Sequence, residues 1–319
     1  MELRNLGSSD IKISPIIMGT WQAGRDMWAD IDDAETTRAI QAAVDAGVNT
    51  IDTAAVYGKG HSERVVGKAV GERRPQVIIA TKVFANELQY DQVIAACERS
   101  LANLQTDYID LYQIHWPAGS FGSPVVPIEE TMRALNALKE QGKIRAIGVS
   151  NFSRIQLEEA MAYGDIVSLQ PPYSLLWRHV ETDAMPVCAA EGLSILAYSP
   201  MAQGILTGKF GPDHRFKRGD HRRANRLFQE PVFTRVQDAL AALKPIADRH
   251  AITLGQLALA WVIAQPGACA IAGARNATQA LENAQAGAVS LTPEDLAEMD
   301  RISRQVTAQL DDNPVLWKW

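Results

Sequence analysis

The sequence predicts an α/β protein of the closed (β/α)8 type, and three observations lead there. Eight short β-rich runs alternate with amphipathic helical stretches almost to the end of the chain. Several of those runs are apolar throughout, as parallel strands are when helices cover them. No linker separates two halves, and the place where a doubly wound nucleotide fold carries GxGxxG reads MGTWQAGRD. The expectation is one domain over residues 1–319, a TIM barrel with an N-terminal hairpin and a C-terminal helix and tail.

The elements follow in chain order. Residues 2–14, ELRNLGSSDIKIS, read as a short hairpin with Gly7 and Ser8 near its turn, placed to plug the barrel floor. The barrel strands are Ile16–Gly19, Thr50–Asp52, Val77–Thr81, Tyr108–Ile114, Ile144–Val149, Ile166–Gln170, Leu193–Tyr198 and Ala268–Ala272. Helical periodicity covers Asp33–Ala46, Ser62–Gly71, Tyr90–Leu104 and Ile128–Gln141, and Gly47, Gly71, Gly142 and Gly192 stand where left-handed C-caps belong. Residues 208–231 form a basic, irregular insertion that reads either as a solvated loop or as a lid over cofactor phosphates. Thr292 N-caps a last helix, with Pro293 at its first position and Asp295 at its third, before a tail ending DDNPVLWKW.

Composition narrows the function. The chain has 31 basic and 37 acidic residues, a net charge of −6, which gives no reason to expect nucleic acid as partner. No apolar run approaches the roughly 20 residues of a membrane helix. The opening stretch lacks a basic segment followed by an apolar one, and Cys97, Cys188 and Cys269 are scattered. Buried free thiols in a reducing cytoplasm are the expectation, with no metal site.

Barrel enzymes carry their chemistry at the C-terminal ends of strands and in the loops that follow. Asp52 ends the second barrel strand, Tyr57 follows in the next loop, Lys82 ends the third strand and His115 the fourth. Alone, Asp52 reads as a strand-end cap, Tyr57 as a loop aromatic and His115 as a structural histidine; a lysine directly after VIIAT is harder to dismiss. Converging, they suit proton delivery to a carbonyl oxygen as hydride arrives at carbon. Lys82 is expected to lower the Tyr57 pKa, Asp52 to hold the lysine, and a neutral His115 to polarise the carbonyl.

These segments resemble the aldo-keto reductase family over nearly the whole chain. The resemblance rests on GVNTIDTAAVYGKGHSERVVGKAV, VIIATKV, YIDLYQIHWP, IRAIGVSNFS and LAYSPMAQGILTGKF, in the order the family shows. It implies Tyr57 as general acid, Lys82 and Asp52 tuning it and His115 orienting a small carbonyl substrate.

Cofactor expectations follow. After the eighth strand come Gly273 and Arg275, with Gln279 and Asn283 on the next helix. A loop leading to a helix N-terminus is a phosphate site, and an arginine there favours NADP(H) over NAD. By the resemblance, Arg275, Gln279 and Asn283 match the adenosine-phosphate pocket, and Ser150, Asn151 and Gln170 match the residues that hold the nicotinamide amide. Tyr198 matches the ring that stacks on nicotinamide. Ser199, Met201, Gln203 and Leu206 match the pyrophosphate path, with Gly204 allowing close approach. Gly19, Thr20, Trp21 and Asp52 complete the expected contacts.

Trp21, Trp28, Trp116 and Trp177 fall in or near rim loops and Trp317 and Trp319 in the tail; as substrate walls they suit small, aromatic and sugar-like substrates alike, but each also reads as core packing or shielding of the barrel edge, the preferred reading for Trp28 and Trp319. Two other readings stand beside the reductase. One is an NADPH-sensing subunit docked on a membrane channel; the other is a Schiff-base aldolase using Lys82 as nucleophile.

Overall fold

The computed structural model describes residues 1–26, 28, 30–211, 213–218 and 220–310. The tail beyond, with Trp317 and Trp319, lies outside the described residues. Two short strands, β1 (Arg4–Asn5) and β2 (Lys12–Ile13), pair antiparallel as the predicted hairpin. The barrel strands are β3 (Ile16–Gly19), β4 (Thr50–Asp52), β5 (Ile78–Val83), β6 (Ile109–Ile114), β7 (Ile144–Ser150), β8 (Ile166–Gln170), β9 (Ser194–Ala197) and β10 (Ala268–Gly273). They run parallel in that order, and β10 closes on β3. The eight-stranded barrel stands as predicted, with strand limits shifted by at most two residues.

Helices α1 (Asp33–Asp45), α2 (His61–Val70), α3 (Tyr90–Leu104), α4 (Ile128–Glu140), α5 (Arg154–Met161), α6 (Met185–Glu191), α7 (Val232–Arg249), α8 (Leu254–Ile263), α9 (Ala277–Gln285) and α10 (Pro293–Thr307) sheathe it. Their boundaries follow local chemistry. Asp32 accepts the Glu35 amide to start α1, and Ser153, Thr253 and Thr292 open α5, α8 and α10 with reciprocal capping boxes.

Strand periodicity sorts the side chains into two layers. Ile16, Ile51, Ile79, Tyr112, Ile147 and Leu169 face outward into the helix-covered core. Ile17, Ala80, Leu111, Ala146, Leu196 and Cys269 fill the interior, and hairpin residues Leu6, Ile11 and Ile13 seal it from below. The hairpin is pinned where Arg4 Nη1 donates to the Ala268 carbonyl (2.6 Å) and the Gly7 amide to Ser194 Oγ (2.8 Å). A Cβ on Gly7 would stand 2.2 Å from the Val167 carbonyl oxygen, so only glycine lets the turn approach this closely.

Two residues further along the strands, the inward side chain turns polar. Ala80 gives way to Lys82 and Leu111 to Gln113, and Asp52 stands at the end of β4; all three are buried. An apolar, plugged floor under a polar mouth is the consequence.

The insertion 208–231 is more than a solvated run. Phe210 lies 5.3 Å from Phe216 and 5.4 Å from Phe228, and the Arg222 guanidinium sits 4.7 Å from the Phe216 ring centroid. Lys217 reaches across the rim to Asp30 (2.8 Å), and Asn225 Nδ2 donates to Gln203 Oε1 (3.0 Å). A small aromatic core therefore holds the basic segment against the barrel mouth.

The last helix is tied to α7 through Asp295. Its carboxylate accepts from Arg249 (2.7 Å) and His250 (2.7 Å), and the Arg249 bond above all holds its pKa well below the ordinary carboxylate range. A depressed folded-state pKa contributes stability above the unfolded value of about 4 and loses it as pH falls. Asp295→Asn should lower the thermal midpoint by roughly 2 °C at pH 7 in low salt. Scanning calorimetry should show that gap close as pH is taken toward 2; a gap independent of pH would contradict the ionic assignment.

Candidate active site

The centre of the barrel mouth is an ion pair with no solvent contact on its cation. Lys82 is 0% exposed, and its Nζ donates to Asp52 Oδ1 (2.7 Å) and to the Thr53 carbonyl (2.8 Å). The other Asp52 oxygen accepts from Gln170 Nε2 (2.8 Å), which also donates to Gln113 Oε1 (3.3 Å). Strands β4, β5, β6 and β8 thus meet in one hydrogen-bonded chain. Burial pulls the Lys82 pKa down, and Asp52 opposes that shift by favouring the charged form.

Tyr57 is carried on a sharp loop above this pair. Gly58 and Gly60 adopt φ of 60° and 82°, and the loop turns into α2. The backbone at Gly24, in the short turn Trp21–Gly24 after β3, packs directly on it. A Cβ on Gly58 would stand 2.3 Å from the Gly24 carbonyl oxygen, and Asp26 Oδ2 accepts the Gly58 amide (3.1 Å). Lys82 Nζ lies 5.2 Å from the Tyr57 ring centroid and the His115 ring 5.7 Å from it. The four expected rim residues are brought together.

Their electrostatics differ from the expectation in one respect. Lys82 does not dominate the Tyr57 phenol: burial, followed by the Asp52 carboxylate, pushes its pKa well above the usual tyrosine value. Burial sets the direction, and the Lys82 ammonium is paired with the Asp52 carboxylate, whose charge acts the opposite way on the phenol. Burial and the nearby Lys82 charge hold His115 well below the usual histidine range, so its ring is neutral, as expected.

The residues expected around a nicotinamide form a second network joined to the first. Ser150 Oγ donates to the Gln170 carbonyl (2.7 Å), and Asn151 Nδ2 to the His115 carbonyl (2.9 Å) and to Ser150 Oγ (3.0 Å). Tyr198 Oη donates to Asn151 Oδ1 (2.9 Å). Past Tyr198, Ser199, Gln203 and Gly204 take φ of 52°, 58° and 92°, a tight left-handed turn along the rim beside Met201. Leu206 is only 2% exposed and packs in the apolar core, so its side chain does not line an open path. Thr20 is likewise buried, its hydroxyl donating to the Asp52 carbonyl (2.9 Å), while Gly19 packs beside Ile271 and Trp21 lies 6.4 Å from Tyr57.

Opposite them, Asn276 N-caps α9, the Arg275 amide donates to Gln279 Oε1 (2.9 Å) and Asn283 Nδ2 to the Gly273 carbonyl (3.1 Å). Arg275 and Arg222 lie over the Trp28 ring, 5.4 and 5.2 Å from its centroid. Burial, then the Arg222 charge, lowers the Arg275 pKa; burial, then Arg222 and Arg275, lowers that of Lys209. Asp220 pairs with Arg222 (2.5 Å) inside this cluster. Arg275, just ahead of α9, with the Arg222 and Lys209 charges near it, could hold a phosphate-bearing ligand.

Sequence reasoning missed Gln113, Thr53, Lys209 and the Gly24–Asp26 turn. Gln113 is findable, because it lies two residues before His115 and so shares its inward face; the backbone contacts have no sequence signal. Trp177 is corrected: at 3% exposure it is buried, 6.3 Å from Tyr198, and not part of an open rim. Cys97, Cys188 and Cys269 are buried free thiols. Among the described residues, no helix is long and apolar enough to cross a membrane, and no three His, Cys, Asp or Glu residues gather to hold a metal.

A neutral His115 is directly testable. Its ring nitrogen shifts in nitrogen-15 NMR should show no protonation step around the usual histidine value; protonation near pH 6.5 would contradict the burial argument.

Comparison with known proteins agrees with this geometry. Residues 15–304 match the family model described as the aldo/keto reductase family. The chain is 38% identical over 314 residues to the aldo-keto reductase YhdN of Bacillus subtilis, covering 95% of this chain and 93% of that protein. It is 34% identical to a probable voltage-gated potassium channel subunit beta of Arabidopsis thaliana, covering 95% and 96%. Among solved structures, it superposes on an aldo-keto reductase from Klebsiella pneumoniae in complex with NADPH with a TM-score of 0.79, 30% identity and full coverage of both chains (100%).

Proposed function

The chain belongs to the aldo/keto reductase family, and from that premise we propose that it reduces aldehydes and ketones to alcohols, reversibly, with NADPH and with Tyr57 as general acid. The observation that carries this is the convergence of Tyr57, His115 and the buried Lys82–Asp52 pair at one end of the barrel.

NADPH, when bound, supplies the hydride. Ser150, Asn151 and Gln170 would hold the nicotinamide amide and Tyr198 its ring, with Gly19, Thr20, Trp21 and Asp52 beside them. The turn from Ser199 through Met201, Gln203 and Gly204 would follow the pyrophosphate, and Leu206 could take part only through its backbone. Gly273, Arg275, Gln279 and Asn283 would take the adenosine phosphate. In the reaction, neutral His115 donates a hydrogen bond to the carbonyl oxygen and draws it toward Tyr57. The raised phenol pKa keeps a proton on Tyr57 at neutral pH, and that proton passes to the oxygen as charge develops there. Lys82, held charged by Asp52, is the cation positioned to stabilise the phenolate left behind. The same groups run in reverse for alcohol oxidation.

A second reading has support from the Arabidopsis relative named as a channel subunit: a chain that holds NADPH and turns over little. A steady-state screen of aldehydes, ketones and sugars with NADPH and NADH separates the two. The Schiff-base reading is disfavoured, because Lys82 is fully buried and its amine engages Asp52 and Thr53.

Tyr57→Phe should lower kcat for carbonyl reduction by about 10²-fold or more while leaving NADPH affinity nearly unchanged. Comparable loss in a fluorescence titration of NADPH would mean the ring is structural. Arg275→Ala should weaken NADPH by about ten- to a hundredfold and NADH far less. Equal losses for the two cofactors would remove the phosphate assignment.

A further inference from the structure

Four carboxylates are buried among the described residues: Asp52, Glu63, Asp110 and Asp295. Three of them meet a cation. Asp52 pairs with Lys82, Asp110 with Arg74 and Arg145, and Asp295 with Arg249. Glu63 is 0% exposed, and its partners are two neutral donors rather than a cation. Burying a carboxylate is costly without a counter-charge, and neutral hydrogen bonds offset that cost only in part. The fold keeps this group where the chemistry is.

Glu63 lies in the first turn of α2, the helix that grows out of the Tyr57 loop; the amide of its neighbour Ser62 donates to the Tyr57 carbonyl (3.2 Å). Glu63 Oε1 accepts from Thr81 Oγ1 (2.7 Å) and Oε2 from Asn103 Nδ2 on α3 (2.9 Å). Thr81 directly precedes Lys82 on β5. Successive strand residues point to opposite faces, so Thr81 meets α2 on the outside while Lys82 meets Asp52 on the inside. Glu63 and Asp52 therefore flank β5 at the level of the lysine.

The other titratable groups around Glu63 do not neutralise it. On α3, burial above all pushes the Cys97 thiol up to about 12, and on β6 burial holds the Tyr112 phenol well above the usual tyrosine value. Charged residues elsewhere on α3 are paired outward, Glu98 with Lys143 and Arg99 with Glu87. Arg64, on α2 itself, reaches Glu63 only through Asn103, whose Oδ1 accepts from Arg64 Nη1 (3.1 Å). Lys82 is faced by Asp52 from β4, by the Tyr57 ring and by the neutral His115. Burial pulls the Lys82 pKa down, and the Glu63 charge joins Asp52 in opposing that pull.

Resting on the proton-donor role given to Tyr57 and Lys82, we propose that Glu63 is a positioning residue of the reaction. Its carboxylate is a second counter-charge, acting across β5, that keeps the Lys82 ammonium charged beside the Tyr57 phenol.

The test is the pH profile of kcat for propanal reduction with saturating NADPH. Burial moves Lys82 down and Tyr57 up, so the alkaline limb reports Lys82, and activity is lost as pH rises through its pKa. Removing the Glu63 charge favours the neutral amine. Glu63→Gln should therefore move that limb about one pH unit lower while KM for NADPH stays within about twofold. Glu63→Asp, which keeps the charge, should hold the limb near its original place. A limb unmoved in Glu63→Gln, with propanal still reduced, overturns the assignment and leaves the reductase reading standing. A limb moved equally by both substitutions also overturns it, because the Thr81 bond and not the charge would then be responsible. Should Glu63→Gln not fold, carbon-13 NMR of the Glu63 carboxyl in the unaltered chain decides: an ionised group at neutral pH supports the assignment, and a protonated one overturns it. No reduction by the unaltered chain overturns both the assignment and the reading beneath it.

Discussion

The Lys82–Asp52 pair is the constraint around which the rest of the mouth is organised. Removing two charges from water costs several kcal/mol per ion even after relaxation, so such a pair persists only with good geometry and its remaining hydrogen-bonding capacity met. Here Thr53 supplies a carbonyl to the ammonium, and Gln170 supplies an amide to the carboxylate. Gln113 braces that amide in turn. The pair is a weak source of stability; its value is orientation. It fixes a positive charge beside the Tyr57 ring, and the field of that charge adds to burial in keeping His115 neutral.

The apolar interior of the barrel beneath strengthens that field. The hairpin closes the floor with Leu6, Ile11 and Ile13, and the interior above it is Ile17, Ala80, Leu111, Ala146 and Leu196. These buried apolar side chains lower the dielectric beneath the mouth, which strengthens the interactions of the charges held there. A plug far from the chemistry thereby conditions it. Loop packing does similar work from above: the Gly24–Gly58 backbone contact sets where Tyr57 stands.

Two flanks of the rim are specialised differently. One gathers Lys209, Arg222 and Arg275 around Trp28 and Asp220, with the basic insertion held down by its own aromatic cluster. The other is a neutral arc of rings from Trp116 and Phe121 through Phe84 inward. The two flanks therefore differ in charge, and the His115 and Tyr57 rings lie at the inner end of the aromatic one.

The division between what could be read and what could not follows from range. Alternation of apolar runs with helical stretches, capping residues such as Thr292 with Asp295, and the positions of Asp52, Lys82 and His115 at strand ends are local or periodic signals, and the amino-acid sequence alone determined them. The two-residue period of a strand is enough to put Lys82 and His115 on the inward face. The direction of the Tyr57 pKa, the Gln113–Gln170 relay, the Gly24–Gly58 contact, the burial of Trp177 and the gathering of Lys209 with Arg222 and Arg275 depend on residues far apart in the chain. Only tertiary structure decides those, because burial and Coulomb interactions depend on distances through space, and no spacing along the sequence encodes them.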